Sequence, residues 1–240
     1  MNCKEKTMVR YFPVLLLILV VSAVMAAPAP APSPFTRGWD KAIDPDGDCK
    51  FRREKDALII EVPGRVHDLG VERGVMNAPR LLRDVEGDFL AEVRVSGNFR
   101  PAEKPAGDYH VSFISAGLLL MTGARTYVRL ELASKHENGE IQTFANWELR
   151  GRGRWLLMGN PNVKALEAKD TFLRLERQGD QIRGWVSQNG KEWYALTPIE
   201  ITLPAKLKLG VAAINTSSET FAPRFDRFQL KQKIEKKAAK

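Results

Sequence analysis

The feature that most constrains this 240-residue chain is a two-residue rhythm of apolar side chains running from Leu58 nearly to its end. Phe89, Ala91, Val93 and Val95 alternate with Leu90, Glu92, Arg94 and Ser96. Val128, Leu130 and Leu132 alternate with Tyr127, Arg129 and Glu131, and Leu173 and Leu175 with Phe172, Arg174 and Glu176. Period two sends successive side chains to opposite faces of an extended strand, so each segment reads as a strand with one buried face. Leu118-Leu119-Leu120-Met121 is a continuous apolar run instead, as expected of a strand covered on both faces. Asn138-Gly139, Gly179-Asp180 and Asn189-Gly190 fall between alternating segments and predict tight hairpins, because Asn-Gly reaches positive φ at little steric cost. Helix has weak support, with only Val163 to Lys169 able to form a turn or two. Many strands and frequent turns specify an all-β fold of two packed antiparallel sheets. No fixed-period repeat points to a propeller or solenoid.

The N-terminus carries a different pattern. Lys4, Lys6 and Arg10 precede the apolar run Val14 to Val21, and Val24-Met25-Ala26 supplies small residues for cleavage. Residues 1–26 therefore read as a signal peptide, and the run is too short for a comfortable membrane span of ~20 residues. An uncleaved anchor is the alternative. Residues 27–37 form an Ala/Pro-rich spacer, 38–231 one β domain and 232–240 a basic tail. The expected location is secreted or periplasmic, with no membrane span after cleavage. Removal of Cys3 leaves Cys49 without an internal disulfide partner, so it is expected to be a buried free thiol.

The net charge of +8 suggests nucleic acid at first sight. Half of it lies in the tail 231–240 and another two charges in residues 1–26, leaving +2 on the body. A body this weakly basic lacks the stripe that nucleic-acid binding uses, so no nucleic-acid partner is expected. The lysine tail reads as a solvated end or as a tether to an anionic envelope surface.

Ordered landmarks add a resemblance. Asp44-Pro45-Asp46-Gly47-Asp48-Cys49, Asn77-Ala78-Pro79-Arg80-Leu81-Leu82 and Gly87-Asp88-Phe89 are followed by Tyr127-Val128-Arg129-Leu130-Glu131. Phe172 to Arg177, Ser187 to Trp193, Gly210 to Ala213 and Phe225-Asp226-Arg227-Phe228 complete the series. In this order the segments resemble the regulation-of-enolase-like family of uncharacterised concanavalin A-like lectin/glucanase domains. That resemblance implies a jelly-roll sandwich related to lectins and to accessory domains of glycosidases. It implies no activity and favours carbohydrate binding by analogy of fold.

Candidate site residues follow from the alternation. Tyr127, Arg129 and Glu131 share one face of their strand, Arg174 and Glu176 one face of a second, and Arg183 and Trp185 one face of a third. If those strands line one concave sheet, they form a groove in which sugars stack on Trp and hydrogen-bond to Arg and carboxylate. The plainer alternative is that Arg129 and Glu176 simply pair across strands. Trp147, with Asn146 and Trp155, lies in a less regular segment that could be a ligand-binding rim, unless Trp147 belongs to the core. Asp44, Asp46 and Asp48, with Asp226 brought from the other end of the domain, could begin a Ca2+ shell. An aspartate-rich turn bonded to its own backbone is the alternative. The Ser187 to Trp193 segment is expected to be structural.

Catalytic signatures are sparse. The Glu-x-Asp-x-x-Glu pattern of laminarinase-type hydrolases is absent, His67, His110 and His136 are scattered, and no nucleophile elbow or phosphate loop occurs. The expected function is a non-catalytic, lectin-like domain binding glycan or polysaccharide. The alternatives are a glycoside-acting enzyme using Glu131 with Glu176, or a structural or protein-interaction module of the cell envelope. Oligomeric state is not legible.

Overall fold

A computed structural model describes Trp39 and residues 41–151, 154–157 and 165–232. The segments expected to be a signal peptide (1–26) and a spacer (27–37), and the expected basic tail beyond Gln232, lie outside these residues, as does the side chain of Trp155. Among the described residues no helix is long and apolar enough to cross a membrane.

Among the described residues seventeen strands form in chain order: β1 (Lys41–Ile43), β2 (Lys50–Glu54), β3 (Ala57–Glu61), β4 (Leu69–Gly70), β5 (Val75–Met76) and β6 (Arg80–Glu86). They continue with β7 (Phe89–Ser96), β8 (Ser112–Gly123), β9 (Thr126–Glu137), β10 (Glu140–Gly151), β11 (Arg154–Leu157) and β12 (Thr171–Gln178). The last are β13 (Gln181–Ser187), β14 (Tyr194–Ala195), β15 (Ile199–Glu200), β16 (Lys206–Asn215) and β17 (Arg224–Gln232). One sheet has the order β1-β6-β16-β8-β9-β10-β11 and the other β14-β13-β12-β7-β17-β3-β2, with β15 beside β13. All named pairings in both are antiparallel. The architecture is a sandwich of two antiparallel sheets, consistent with a concanavalin A-like jelly roll.

The core follows from the alternation. Leu118 and Leu120 of β8, Val128, Leu130 and Leu132 of β9, and Val211 of β16 meet Val93 of β7 and Leu173 and Leu175 of β12. Trp147 of β10 is fully buried in this cluster, and its indole N–H donates to the Thr197 carbonyl at 2.8 Å. The segment expected to be an irregular rim is thus a regular strand, and Trp147 is core because it alternates with Asn146 and Glu148. The short helical turn expected over Val163 to Lys169 is absent from its described part, since residues 165–170 are irregular, while Val163 and Lys164 lie outside the described residues.

Turns behave as their chemistry requires, with one exception. Asn138 and Gly139 have φ of 54° and 81° and join β9 to β10, and Gly179 at φ 60° joins β12 to β13. Gly190 also has positive φ, but Asn189-Gly190 lies inside the longer 188–193 loop that leads to β14. There Ser187 Oγ and Asn189 Oδ1 accept backbone N–H groups from Gly190, Lys191 and Glu192. The loop is held by its own polar side chains.

A second apolar cluster lies on the face of the seven-stranded sheet that points away from the core. The β4–β5 hairpin and its connecting 3-10 turn, residues 67–78, fold over this face, with Leu69, Val71 and Ala78 packing on Leu82, Leu119, Tyr127 and Ile214. Leu119 and Met121 meet this flap while Leu118 and Leu120 enter the core, which accounts for the unbroken apolar run.

Two predictions follow. Truncation of Trp147 to Ala should cost about 3–5 kcal/mol in urea denaturation, the usual range for a large buried aromatic. A loss below about 1 kcal/mol would contradict a core position. The second concerns Asp226, which accepts two hydrogen bonds from Arg94 at 2.7 and 2.6 Å. Those bonds hold its carboxyl below the usual range, outweighing burial, which acts the other way. A carboxyl depressed in the fold stabilises it above the unfolded pKa of about 3.9 and stops doing so as pH falls through the folded value. Asp226→Asn should lose about 2 kcal/mol at pH 7. The gap between parent and variant should narrow as pH falls from about 5 to 2 in thermal melts.

Candidate functional site

Beside the flap, the outer face of the seven-stranded sheet forms a cleft of about 720 Å³. Its position is set by register. Arg129 pairs with Leu119 of β8 and Glu148 of β10, and Glu131 with Gly117 and Asn146. These pairs stack two polar rows across three strands, both on the side opposite Leu130 and Trp147.

The floor is a buried ionic network. Arg129, Glu131, Glu148 and Arg150 are all at least 94% buried. Arg129 Nη2 and Asn146 Nδ2 donate to Glu148 Oε1, and Arg150 Nε donates to Glu148 Oε2 at 2.8 Å. Arg150 Nη1 reaches both oxygens of Glu72 in the flap at 2.8 and 3.0 Å. Ser115 Oγ and Asn146 Nδ2 donate to Glu131 Oε2 at 3.0 and 2.8 Å. Buried charges on this scale persist only when compensated. Arg129 Nε and Nη1 and Glu131 Oε1 lack a hydrogen-bond partner among the described residues, although Nε lies 3.6 Å from Glu131 Oε2 and Nη1 3.9 Å from Asp68 Oδ1, within ion-pair reach.

Aromatic and mobile-stemmed side chains make the walls. Phe113 and Phe144 lie 6.4 Å apart at 46°, with Lys135 between their strands and His110 also lining the cleft. Tyr109 donates to Asp68 Oδ2 at 2.8 Å and carries the Arg73 guanidinium 4.2 Å from its ring centre. Burial, reinforced by Asp68, pushes the Tyr109 hydroxyl up, so it stays a protonated donor. Tyr127 lies under the flap with its hydroxyl donating to the Leu69 carbonyl, and burial raises it to about 12.

The single groove expected from Tyr127, Arg129, Glu131, Trp147, Arg174, Glu176 and Trp185 does not assemble. Arg174, Glu176 and Trp185 stand on the other sheet, opposite the inward Leu173 and Leu175, and face away from the Arg129 face. Arg174 donates to Glu92 at 2.8 and 3.0 Å and lies 3.7 Å over the Trp193 ring; Arg183 is 3.9 Å from Glu176. Glu131 and Glu176 therefore cannot act on one bond, nor can Arg129 and Glu176 pair. Alternation assigns a face to each strand but not a sheet, which is why the two sets looked alike.

The residues that complete the cleft were legible in part. Asn146, Glu148 and Arg150 alternate with Ala145, Trp147 and Leu149, the same signal that marked Tyr127, Arg129 and Glu131. Asp68, Tyr109 and Phe113 carry no such signal, since long-range packing alone brings them here.

Of the four aspartates considered for Ca2+, Asp226 is separated from the other three. Phe225 pairs with Leu58 and Lys50 with Glu61, so Asp226 and Cys49 sit beyond opposite ends of β3. Asp44 turns back to accept the Gly47 and Cys49 N–H groups at 3.1 and 2.9 Å. A different set forms instead: one ligand atom each of Asp48, Cys49 and His67 lies within 4.8 Å of the others. These three could hold a metal ion, and they are not the oxygen-only donors that Ca2+ takes. Cys49 is a free, half-buried thiol, and burial together with Asp44 and Asp48 pushes it up.

Residues 70–233 match a family described as a protein of unknown function, DUF1349. The chain belongs to that family. No curated protein matches it. Among solved structures it is similar to a functionally unknown protein from Saccharomyces cerevisiae, with a TM-score of 0.59 at 13% identity over 81% of this chain and 97% of that one. It is also similar to xylan beta-1,4-xylosidase from Bacillus halodurans C-125, with a TM-score of 0.53 at 12% identity. The GH43 protein BlXynB from Bacillus licheniformis gives a TM-score of 0.51 at 16% identity. The alignments cover 76% and 80% of this chain but span only 38% and 39% of those two proteins. At these identities the likeness is one of fold.

The network makes a direct prediction. Arg129→Met removes the cation between Glu131 and Glu148 and should cost about 3–5 kcal/mol in denaturant unfolding. A variant as stable as the parent would mean that the floor is wet and its charges solvated.

Proposed function

We propose that this chain is a non-catalytic carbohydrate-binding module whose ligand enters the cleft on the seven-stranded sheet. The observation that carries the reading is a cleft that sets the donors Lys135 and Asn146 and the acceptors Asp68 and Glu72 beside the aromatic Phe113 and Phe144. A hydroxyl both donates and accepts, so neighbouring sugar hydroxyls can answer both kinds at once. Phe113 and Phe144 offer apolar faces against which the C–H side of a sugar ring packs. The volume suits a small ligand or a few sugar units. The charges of the floor balance, Arg129 and Arg150 against Glu131 and Glu148, which favours a neutral polyol.

Two further points favour binding over turnover. Both oxygens of Glu148 are taken by guanidinium groups, and Glu131 and Glu176 are divided between the sheets. The xylosidase and BlXynB include the same fold within much longer chains, which fits an accessory role for the sandwich. The ordered sequence landmarks support kinship with the regulation-of-enolase-like proteins as the finer assignment. A leader in residues 1–26 would deliver the domain to polysaccharide outside the cytoplasm.

Titration calorimetry of the purified chain against a panel of plant and envelope oligosaccharides tests the proposal. Phe144→Ala and Asn146→Ala should each weaken binding by about tenfold, a loss of about 1.4 kcal/mol. Trp185→Ala and Arg174→Ala, on the opposite sheet, should leave it unchanged. Equal losses from both faces, or no binding across the panel, would sink the idea.

A further inference from the structure

Where the 44–49 loop enters β2, the side chains of Asp46, Asp48, Cys49 and His67 converge. His67 is fully buried, and both of its ring nitrogens face acceptors. Nδ1 lies 3.2 Å from the Arg65 carbonyl and Nε2 lies 2.8 Å from Asp48 Oδ1. A neutral imidazole has one N–H, so it can satisfy only one of them. With Nδ1–H given to Arg65, Nε2 presents its lone pair to the carboxylate, and the two repel unless a proton or a metal ion is shared by them. A backbone carbonyl on the far nitrogen is the arrangement that orients metal-binding histidines.

The remaining distances suit a small metal. Cys49 Sγ lies 3.6 Å from Asp48 Oδ1, and Asp46 Oδ2 lies 3.9 Å from His67 Nε2. Bonds of about 2.0–2.3 Å to a tetrahedral ion imply ligand–ligand edges of about 3.3–3.8 Å, so the 2.8 Å His67–Asp48 edge must open by about 0.5 Å while the longer edges close slightly. Asp48 Oδ2 is buried without a hydrogen bond, with Arg65 Nε 3.2 Å away. Asp44, Asp46 and Asp48 together leave the loop anionic even with Arg65 counted, which a divalent ion would offset.

We propose that His67, Asp48 and Cys49, with Asp46 as fourth ligand, form a site for a divalent cation of the zinc type. Mixed nitrogen, sulfur and oxygen donors select such an ion and disfavour Ca2+ and Mg2+. On binding, the Cys49 thiol releases its proton to solvent as the sulfur–metal bond forms. The site stands independently of what the cleft holds, yet it is wired to it. Asn77 Nδ2 donates to Asp46 Oδ2 at 2.7 Å and to the Val66 carbonyl at 2.8 Å, while its Oδ1 accepts the Asp68 N–H at 2.9 Å. The ion would fasten the 44–49 loop to the segment that carries Asp68 into the cleft.

Cobalt is the probe. The full chain, stripped with chelator, is titrated with Co2+ and followed by absorption. One equivalent should produce a near-ultraviolet thiolate-to-cobalt band, which Zn2+ displaces. Cys49→Ser should abolish the band, and Asp48→Asn should weaken binding by about tenfold or more. Circular dichroism confirms that each variant keeps its β fold; His67 is left intact because its burial makes replacement disruptive. A folded parent without the band would overturn the site and assign the Nε2–Asp48 contact to a proton. A band that survives Cys49→Ser would also overturn it, placing the thiolate at Cys3.

Discussion

The seven-stranded sheet must be buried on both sides, and the rest of the molecule is organised around that demand. Its inner face meets the other sheet in the usual way. Its outer face would leave Leu119, Met121 and Ile214 in water, and the 67–78 flap exists to cover them. A hairpin of two-residue strands has too few backbone bonds to hold itself, so side chains anchor it. Tyr127 binds the Leu69 carbonyl, Arg125 the Val71 carbonyl at 2.6 Å, and Arg150 bridges to Glu72. The cleft opens where this face runs out from under the flap, with Asp68, Glu72 and Arg73 of the flap along its edge. Its ionic floor is the price of closing a sheet with charges instead of leucines.

The layout of strands could be read from the residues because alternation is a local property. Val128, Leu130 and Leu132 point inward for the same reason wherever β9 is placed. Sheet membership is not local. β9 and β12 carry almost the same pattern, yet one faces the flap and the other the opposite solvent, a difference decided by pairing partners far away in sequence. Trp147 shows the limit from another side. Nearby glycines suggested a rim, although its own neighbours already alternated as a strand. The Asp48–Cys49–His67 cluster joins residues nineteen positions apart through a chain reversal that no motif announces.

The two outer faces differ in kind. On the eight-stranded sheet, Arg94 is matched to Asp226 and Arg174 to Glu92, each by two hydrogen bonds, and Trp193 caps the second pair. Charges there are partly solvated and satisfied by direct neighbours. On the cleft floor they are deeply buried, and Arg129 and Glu131 retain donors and an acceptor unused.

The sheet borders have a consequence of their own. One sheet ends in β1, of three residues, and the other in two-residue β14 and in β2, where Lys50, Arg52, Arg53 and Glu54 crowd a five-residue strand. Short or heavily charged margins present a poor template to an incoming strand. Strand addition at β1, β2 and β14 is therefore disfavoured, which leaves four-residue β11, with Leu156 exposed, as the margin least guarded against an incoming strand.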